Sequence, residues 1–357
     1  MVDSICISGM NSRQLQELLA RLGEPKFRAK QLQCWLYGEF AISYDEMTDL
    51  PRTLRDRLAQ QVPLHCLTPV KEVGGGGDTI KTLFALTDGK TIESALMCYP
   101  AAQGRRRYTV CVSTQVGCAV GCPFCATGQQ GFERNLTPGE IVDQVLYFSH
   151  QLKNHGKDSH VTNLVFMGMG EPLANYEALW SAIEILTSPD GFGLGARHIT
   201  VSTSGLIPQI ERLSQEPLQV GLAISLHAGE NALRNNLVPI NRKYPLEQLI
   251  PACQAYFTKT GRRPTFEYAL FDGINDSLEQ ARTLARLLTG LNCHVNLIAA
   301  NHTANDRFRP PKRKTVLAFE KELKLSNINC TLRQAMGLNI DAGCGQLRSR
   351  FQQDSGN

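Results

Sequence analysis

The sequence lacks any long hydrophobic run, and this absence excludes a first large class of proteins. Its 357 residues contain no apolar stretch that approaches the roughly 18 residues needed by a membrane-spanning helix. The start of the chain also lacks the basic segment, apolar run and small-residue cleavage site of a secretion signal. We therefore expect a cytoplasmic protein, in an environment where thiols stay reduced.

A large excess of one charge sign is also absent. The chain has 37 Lys plus Arg against 33 Asp plus Glu, and this net charge of +4 is too small to indicate a nucleic-acid-binding protein by itself. Charged residues make up 20% of the chain and hydrophobic residues 42%, which excludes a disordered or collagen-like chain. We expect one large domain of roughly 200 to 250 residues with an appendage.

Cysteine, in contrast, is plentiful, since the sequence has 12. In a reducing environment, clustered cysteines bind a metal or take part in chemistry more often than they form structural disulfides. Some of the 12 are scattered without ligand spacing, and we expect these to pack as small core hydrophobes. They are Cys6, Cys34, Cys66, Cys98, Cys253, Cys293 and Cys330.

The first hundred residues change texture part-way. Helix-start and helix-stop residues punctuate the first sixty, and they predict a small helical unit. Short alternating runs at residues 79–86 and 91–97, separated by Asp88 and Gly89, predict a β-hairpin. The glycine run at 74–77 lacks the Lys and helix of a phosphate loop, so it predicts a flexible turn.

From about residue 105 onward, apolar strands alternate with amphipathic helices. Strands are predicted at residues 108–113, 163–167, 198–202, 221–226, 265–270 and 294–298. Helices are predicted at residues 138–153, 175–186, 208–213, 246–258, 277–288 and 312–325. Such units predict a parallel sheet covered by helices, either an open doubly wound sheet or a curved partial barrel. Ligands of these folds bind beyond the carboxyl ends of the strands, where function is expected.

A cysteine-rich loop follows the first strand of this region. Cys118, Cys122 and Cys125 stand at Cys-x-x-x-Cys-x-x-Cys spacing. A structural zinc site uses four ligands, and no fourth Cys or His stands at the usual short spacing. An iron–sulfur cubane has four corners, so three thiolates leave one iron open to a ligand. The loop therefore favours an iron–sulfur cluster over zinc or over thiols that merely pack.

This loop, with Phe124 before its last cysteine and a series of strand–helix units after it, resembles that of the radical S-adenosylmethionine (SAM) enzymes. The resemblance implies an α/β fold with a partial (β/α)6 barrel, and a [4Fe–4S] cluster whose open iron chelates SAM. Reduction then splits SAM into methionine and a 5'-deoxyadenosyl radical. The SAM contacts implied at the strand ends are Gly170, Glu171, Ser202, Ser225, Leu226, His227 and Asn301.

Three further residues narrow the family, although each has an ordinary structural interpretation on its own. Cys111 alternates like a strand core residue, Glu93 is typical of a solvated face, and Cys344 stands between glycines in the tail. Together, and with the segments at 134–137, 166–175, 197–205 and 238–241, they resemble the RlmN/Cfr family of radical SAM adenine methyltransferases. The likeness covers nearly the whole chain.

The resemblance implies a role for each of these residues. One SAM methylates Cys344, and a radical made from a second SAM activates that methyl group for addition to an adenine ring. Glu93 accepts the ring proton. Cys111 then attacks the Cys344 sulfur, which releases the methylated adenine and leaves a transient Cys111–Cys344 disulfide.

The resemblance also implies the organisation and the partners. It predicts a helical accessory domain (1–65), a β-hairpin segment that carries Glu93 (66–104), a radical SAM barrel (105–335) and a mobile tail with Cys344 (336–357). The implied substrates are adenine carbon 2 in the peptidyl-transferase region of 23S rRNA and in tRNA beside the anticodon. Basic clusters at 105–107, 242–243, 262–263 and 307–314 suit phosphate. We expect a monomer that receives electrons from flavodoxin or ferredoxin.

Departures from the family pattern leave alternatives open. Met336 and Asn339 replace an Arg and an Asp, Gly343 replaces an Ala, and the prolines expected at 299–303 are missing. One alternative is methylation of adenine carbon 8, and another is a radical SAM enzyme that acts on a non-RNA substrate. A third is an iron–sulfur or zinc protein that binds RNA without catalysis.

Overall fold

The computed structural model describes residues 6–75, 78–102, 105–153, 160–299, 307–333, 347–348 and 351. Two predicted site residues, Asn301 and Cys344, lie outside these ranges, as do the departures at Met336, Asn339 and Gly343. Within these ranges, none of the helices has the length and apolar character needed to cross a membrane.

Three α-helices form a small unit at the start of the chain. They are α1 (Ser12–Arg21), α2 (Phe27–Gln33) and α3 (Arg52–Gln61). Asn11 caps α1 by accepting a hydrogen bond from the backbone N–H of Gln14, whose side chain accepts from Asn11 in return. Leu15, Leu18 and Leu19 form the buried face of α1, as the sequence pattern predicted.

The rest of the chain contributes strands and further helices. The strands are β1 (Leu67–Gly75), β2 (Thr79–Leu86), β3 (Thr91–Ala102), β4 (Arg105–Cys111), β5 (Gln115–Gly117), β6 (Phe132–Asn135), β7 (Asn163–Phe166), β8 (Ile199–Thr203), β9 (Gly221–Ser225), β10 (Thr265–Leu270), β11 (His294–Ala299) and β12 (Cys330–Leu332). The helices are α4 (Ala126–Gln129), α5 (Pro138–Lys153), α6 (Tyr176–Thr187), α7 (Ile207–Leu213), α8 (Asn231–Leu237), α9 (Leu246–Thr260), α10 (Leu278–Leu288) and α11 (Arg313–Leu325).

One ten-stranded sheet holds the molecule together, in the order β1-β2-β3-β4-β7-β8-β9-β10-β11-β12. The pairs from β1 to β4 are antiparallel, and those from β4 through β12 are parallel. The predicted α/β fold class is confirmed, and the six predicted parallel strands are all present. The sequence analysis missed β12, because a three-residue strand carries too little periodicity to be detected.

The predicted hairpin is part of this same sheet rather than a separate one. β3 pairs with β2 on one side and with β4 on the other, with Ala95 opposite Cys111. The hairpin therefore extends the parallel region as an antiparallel edge, and its side chains reach the mouth of the parallel region. This register decides which residues of the hairpin face the site described below.

Two of the scattered cysteines were wrongly expected to be separate core thiols. Cys6 and Cys66 form a disulfide with a Cα–Cα separation of 5.8 Å, across 60 residues of sequence. Asp143 of α5 accepts a hydrogen bond from the Cys66 backbone N–H at 2.5 Å, so the bridge lies against the barrel. Their wide separation in sequence hid this contact. Cys34 is exposed, contrary to expectation, whereas Cys253, Cys293 and Cys330 are buried as expected.

Candidate active site

A pocket of about 430 Å³ opens at the carboxyl ends of the parallel strands. This volume lies in the usual range for small-molecule sites. Ten of the residues that the sequence singled out line it together: Glu93, Cys111, Cys118, Cys122, Cys125, Gly170, Glu171, Ser202, Ser225 and His227. Leu226 does not line it, because its side chain is fully buried in the core.

The cysteine loop is held at the pocket by an aromatic anchor. The ring of Phe124, the residue before Cys125, lies 4.9 Å from that of His227 and 5.1 Å from that of Phe271. Phe308 completes this small apolar cluster, with ring centroids 6.1 Å apart. The aromatic position in the cysteine pattern therefore fixes the loop against the carboxyl end of the sheet.

Two thiols of this loop, those of Cys118 and Cys122, are in an environment that disfavours the free thiolate. Burial raises the pKa of Cys118 to about 12 and also raises the pKa of Cys122, and the neighbouring thiols add to both shifts. A metal centre reverses this preference, since a coordinating thiol is deprotonated by the cation that it binds. The three thiols, gathered on one loop and open to one pocket, fit the ligand set of a site-differentiated iron–sulfur cluster.

Glycines in the segment after β7 are required by the close approach of the chain itself. The chain occupies the space that side chains would fill at these positions. A Cβ on Gly168 would lie 2.6 Å from Ser113 Oγ, and a Cβ on Gly170 would lie 2.6 Å from Gln115 Cβ. Gly170 also has a φ of 103°, which favours glycine. These glycines therefore pack the segment tightly against the chain that enters the cysteine loop.

Glu171 is a buried carboxylate that is fixed by two strands. Its Oε2 accepts hydrogen bonds from the backbone N–H and the hydroxyl of Ser204, both at 2.7 Å, and its backbone N–H donates to Gln115 Oε1 at 2.8 Å. Burial raises the pKa of Glu171, while the Ser204 hydrogen bonds oppose that shift. The carboxylate is thus preorganised, and an ammonium group in the pocket would favour its ionised form.

His227 is a neutral histidine in a strained position. Its φ is 60°, in the left-handed region that a residue with a side chain rarely adopts. Burial lowers its pKa to about 3, and its Nδ1 accepts a hydrogen bond from the Ala269 N–H at 3.0 Å. Nδ1 is therefore unprotonated and the ring proton stands on Nε2. Backbone strain of this kind is typical of functional positions.

The opposite side of the pocket carries paired charges. Glu93 of β3 is 3% exposed, and its Oε2 lies 2.7 Å from Lys81 Nζ. Cys111 of β4 shares this side, where burial raises its pKa to about 11 and the charge of Lys81 opposes the shift. The predicted base and the predicted resolving thiol therefore lie together, at the antiparallel edge of the pocket.

Comparisons with known proteins agree with this geometry. The model of the ribosomal RNA large subunit methyltransferase N-terminal domain matches residues 5–64, and that of the radical SAM superfamily matches residues 112–285. Ribosomal RNA large subunit methyltransferase N of Nitrosopumilus maritimus is 48% identical over 342 residues, covering 94% of this chain and 96% of that protein. A probable dual-specificity RNA methyltransferase RlmN of Desulfitobacterium hafniense is 46% identical over 343 residues, with 96% of each covered.

A solved structure is similar over almost the full length. The crystal structure of a radical SAM methyltransferase from Sphaerobacter thermophilus has a TM-score of 0.92 and 51% identity, and it covers 96% of this chain and 98% of that one. The chain belongs to the RlmN family of radical SAM RNA methyltransferases. As a member of this family it is an enzyme that uses a [4Fe–4S] cluster and SAM. The predictions of family, enzyme class and cofactors are confirmed.

The sequence analysis missed a buried arginine that is hydrogen-bonded to backbone carbonyls at the edge of the pocket of this RlmN-family chain. Arg234 of α8 has no exposed surface, and its guanidinium donates to the carbonyls of Ser204, Ser225 and Leu226 at 2.7, 3.1 and 3.1 Å. Its remaining donor reaches Asn241 Oδ1 at 2.7 Å. Burial lowers its pKa to about 10, so it is still charged near pH 7. Arg234 thus ties together the ends of β8 and β9.

A second missed residue lies in the tail. The backbone N–H of Arg348 donates to Glu93 Oε1 at 2.5 Å, and its guanidinium donates to Gln130 Oε1 at 2.7 Å and to Glu133 Oε1 at 2.5 Å. No sequence signal separated this arginine from the other basic residues of the tail. Arg348, four positions after Cys344 in sequence, therefore lies beside Glu93.

Proposed function

We propose that this chain methylates carbon 2 of adenine, in 23S rRNA and in tRNA next to the anticodon, through a methyl group carried on Cys344. The observation that carries the proposal is the pocket itself, where Glu93, Cys111 and the cluster thiols meet. Family membership and the dual-specificity name of relatives at 45–46% identity support it.

The residues singled out in the sequence would hold the cofactors, and those of them that line the pocket lie on one side of it. Cys118, Cys122 and Cys125 would bind the cluster, while Gly170, Glu171, Ser202, Ser225, Leu226, His227 and Asn301 would form the SAM site. When bound, these cofactors supply a methyl group to the tail thiol and a radical that removes one hydrogen atom from that methyl group. Neutral His227 and preorganised Glu171 suit a zwitterionic ligand, because they add no further positive charge beside its ammonium group.

The side chains of the chain then complete the transfer. The Cys344 methylene forms a carbon–carbon bond with the ring, and Glu93 accepts the ring proton as aromaticity returns. The one electron that leaves the ring would return to the cluster held by Cys118, Cys122 and Cys125, which would have been oxidised by one electron on SAM cleavage. The Cys111 sulfur then bonds to the Cys344 sulfur, the carbon–sulfur bond breaks, and its electron pair stays on the methylene carbon. The Cys111 thiol proton balances the proton gained by that carbon. An external dithiol reduces the resulting disulfide.

The docked tail supports the role given to Cys344. Arg348 stands four positions after Cys344, so covalent geometry tethers the two Cα atoms within about 14 Å. Arg348 in turn contacts Glu93 directly. The proposed methyl carrier is therefore tethered close enough to serve the same pocket as the base.

An exposed surface next to the pocket suits RNA. The guanidinium of Arg107 on β4 lies 3.8 Å above the ring of Tyr99 on β3, and Arg106 and Arg107 are exposed. Met97, two residues before Tyr99 in the same strand, lines the pocket. Arginine side chains bind phosphate, and arginine and aromatic side chains stack on unstacked bases. The target adenine must leave its stack in order to reach the pocket. We also propose that the protein is a cytoplasmic monomer and that flavodoxin or ferredoxin supplies its electrons.

Nucleoside analysis tests the proposal. Recombinant protein, reconstituted anaerobically with iron and sulfide, is incubated with SAM, a reductant and unmodified 23S rRNA or tRNA. We expect 2-methyladenosine and 5'-deoxyadenosine. Appearance of 8-methyladenosine would overturn the assignment of carbon 2, and 5'-deoxyadenosine without any methylated adenine would overturn the RNA substrate. RNA from a deletion strain should lose the same nucleoside.

A further inference from the structure

A buried lysine lies in the charged half of the pocket, and the chemistry above gives it no role. Lys81 of β2 is 4% exposed, lines the pocket and places its Nζ 2.7 Å from Glu93 Oε2. Burying an ammonium group costs free energy of folding. Replacing a buried ion pair by apolar residues of similar volume often leaves the stability of a protein unchanged or raises it. A core position occupied by Lys therefore calls for a functional explanation.

Strand register explains why this lysine reaches both reactive groups. Lys81 is directly opposite Ala95 on β3, and Ala95 is directly opposite Cys111 on β4. Residues that face each other across antiparallel strands point to the same side of the sheet, and so does Glu93, two positions from Ala95. The small side chain of Ala95 leaves room between Lys81 and Cys111. One cation therefore serves a carboxylate and a thiol on one face.

We propose that Lys81 is a positioning residue for the methyl transfer, which directs the Glu93 carboxylate to the ring proton and then stabilises the Cys111 thiolate as it attacks the Cys344 sulfur. This inference rests on the proposed function. It adds an order to the two steps. While Glu93 is ionised, it offsets part of the effect of the Lys81 charge on Cys111; once Glu93 has taken the ring proton, the whole of that charge acts on the thiolate.

The surroundings of Cys111 are consistent with this division of charge. The charged groups facing it are Lys81 from β2, Glu93 from β3 and Arg333 just after β12, and Glu267 of β10 lies across the pocket. Lys81 is the largest of the influences that oppose burial at this thiol, ahead of Arg333, while Glu93 acts in the opposite direction. Protonation of Glu93 therefore removes an obstacle to thiolate formation.

The test combines turnover with a thiol titration on the reconstituted holoenzyme. Lys81→Met and Lys81→Gln remove the charge, Lys81→Arg keeps it, and Lys71→Met makes the same change at an exposed lysine of β1. Each protein is reduced anaerobically and alkylated with iodoacetamide across a pH series. Mass spectrometry of the Cys111 peptide then gives the midpoint of its reactivity, without RNA or SAM.

We expect Lys81→Met and Lys81→Gln to lower methyladenosine formation at least about tenfold, to retain 5'-deoxyadenosine release and to accumulate a protein–RNA adduct. The Cys111 midpoint should rise by about one pH unit, because a nearby cation is lost. Lys81→Arg should keep the wild-type midpoint, and Lys71→Met should match the wild type throughout. A general loss of structure would not move the midpoint while sparing 5'-deoxyadenosine.

Two negative results have separate meanings. If the wild type makes 2-methyladenosine but the Lys81→Met and Lys81→Gln midpoints and adduct levels equal those of the wild type, the role of Lys81 is refuted and the proposed function stands. If no protein in the series methylates adenine, the proposed function is refuted. In that case an unmoved Cys111 midpoint refutes the electrostatic role of Lys81 as well.

Discussion

The two sides of the pocket are built by different means. The side formed by the ends of β7, β8 and β9 presents neutral or internally satisfied groups, such as His227 and the hydrogen-bonded Glu171, and Arg234 holds it from behind through backbone carbonyls. The side formed by β2, β3 and β4 presents the Lys81–Glu93 ion pair and the Cys111 thiol, all of which line the pocket. The first side has the fixed geometry that suits cofactor binding. The second side has charged and ionisable groups, which suit proton transfer and thiol–disulfide exchange.

Removing one of the proposed cluster ligands should produce the largest effect and should separate the two sides. We expect Cys118→Ala to abolish iron-dependent absorbance, 5'-deoxyadenosine release and methyladenosine, because two thiolates cannot hold the cubane. The pH profile of Cys111 alkylation should stay unchanged. Cys34→Ala, at an exposed thiol outside the pocket, is the matched control and should retain full iron content. Normal iron content in Cys118→Ala would contradict the ligand assignment.

Changing the thiol on the other side should stop the reaction at a later stage. In Cys111→Ala we expect SAM cleavage to continue and a covalent protein–RNA adduct to accumulate, because no sulfur remains to release the Cys344 carbon–sulfur bond. Denaturing electrophoresis with labelled RNA detects the adduct. Free product at the wild-type rate from this variant would remove Cys111 from the mechanism.

Arg234→Met should destabilise the side of the pocket formed by β7, β8 and β9 and leave the side formed by β2, β3 and β4 unchanged. Four acceptors would lose their donor, so we expect the free energy of unfolding to fall by at least about 3 kcal/mol. SAM affinity should fall as well, which equilibrium dialysis measures. Arg212→Met is the control, since Arg212 is an exposed arginine paired with Glu177, and its loss should lower the free energy of unfolding far less. Equal losses in the two variants would show that Arg234 is not a special support.

The smallest predicted effect concerns pH. Folded His227 takes up a proton only near pH 3, whereas the unfolded residue does so near 6.5, so between these values the unfolded state binds more protons. Stability should therefore fall as pH drops through this window, by up to about 1.4 kcal/mol per unit from this residue. His227→Asn keeps a side chain that tolerates positive φ but does not titrate. The free energy of unfolding, measured by urea denaturation, should fall less between pH 6 and pH 5 in the variant than in the wild type.

Much of this molecule was predictable because its signals are local. The parallel strands alternate with helices within short windows, and three cysteines within eight residues define the cluster loop. The family resemblance also singled out Glu93 and Cys111, which lie together in the pocket. The sequence did not reveal three features: the Cys6–Cys66 disulfide, the hydrogen bonds of Arg234 and the ion pair of Lys81. Each depends on partners that tertiary contacts or strand register bring together.

The Cys6–Cys66 disulfide has a consequence for how the molecule is assembled from parts. It joins the two ends of the helical unit, whose terminal Cα atoms lie only 5.8 Å apart. A segment whose ends meet in this way can be added to a host domain, or removed from it, without displacing the chain on either side. The barrel, by contrast, begins at β4, inside the sheet, and reaches β12 at the edge of the same sheet. The accessory unit is therefore the part of this chain that is best suited to transplantation between proteins.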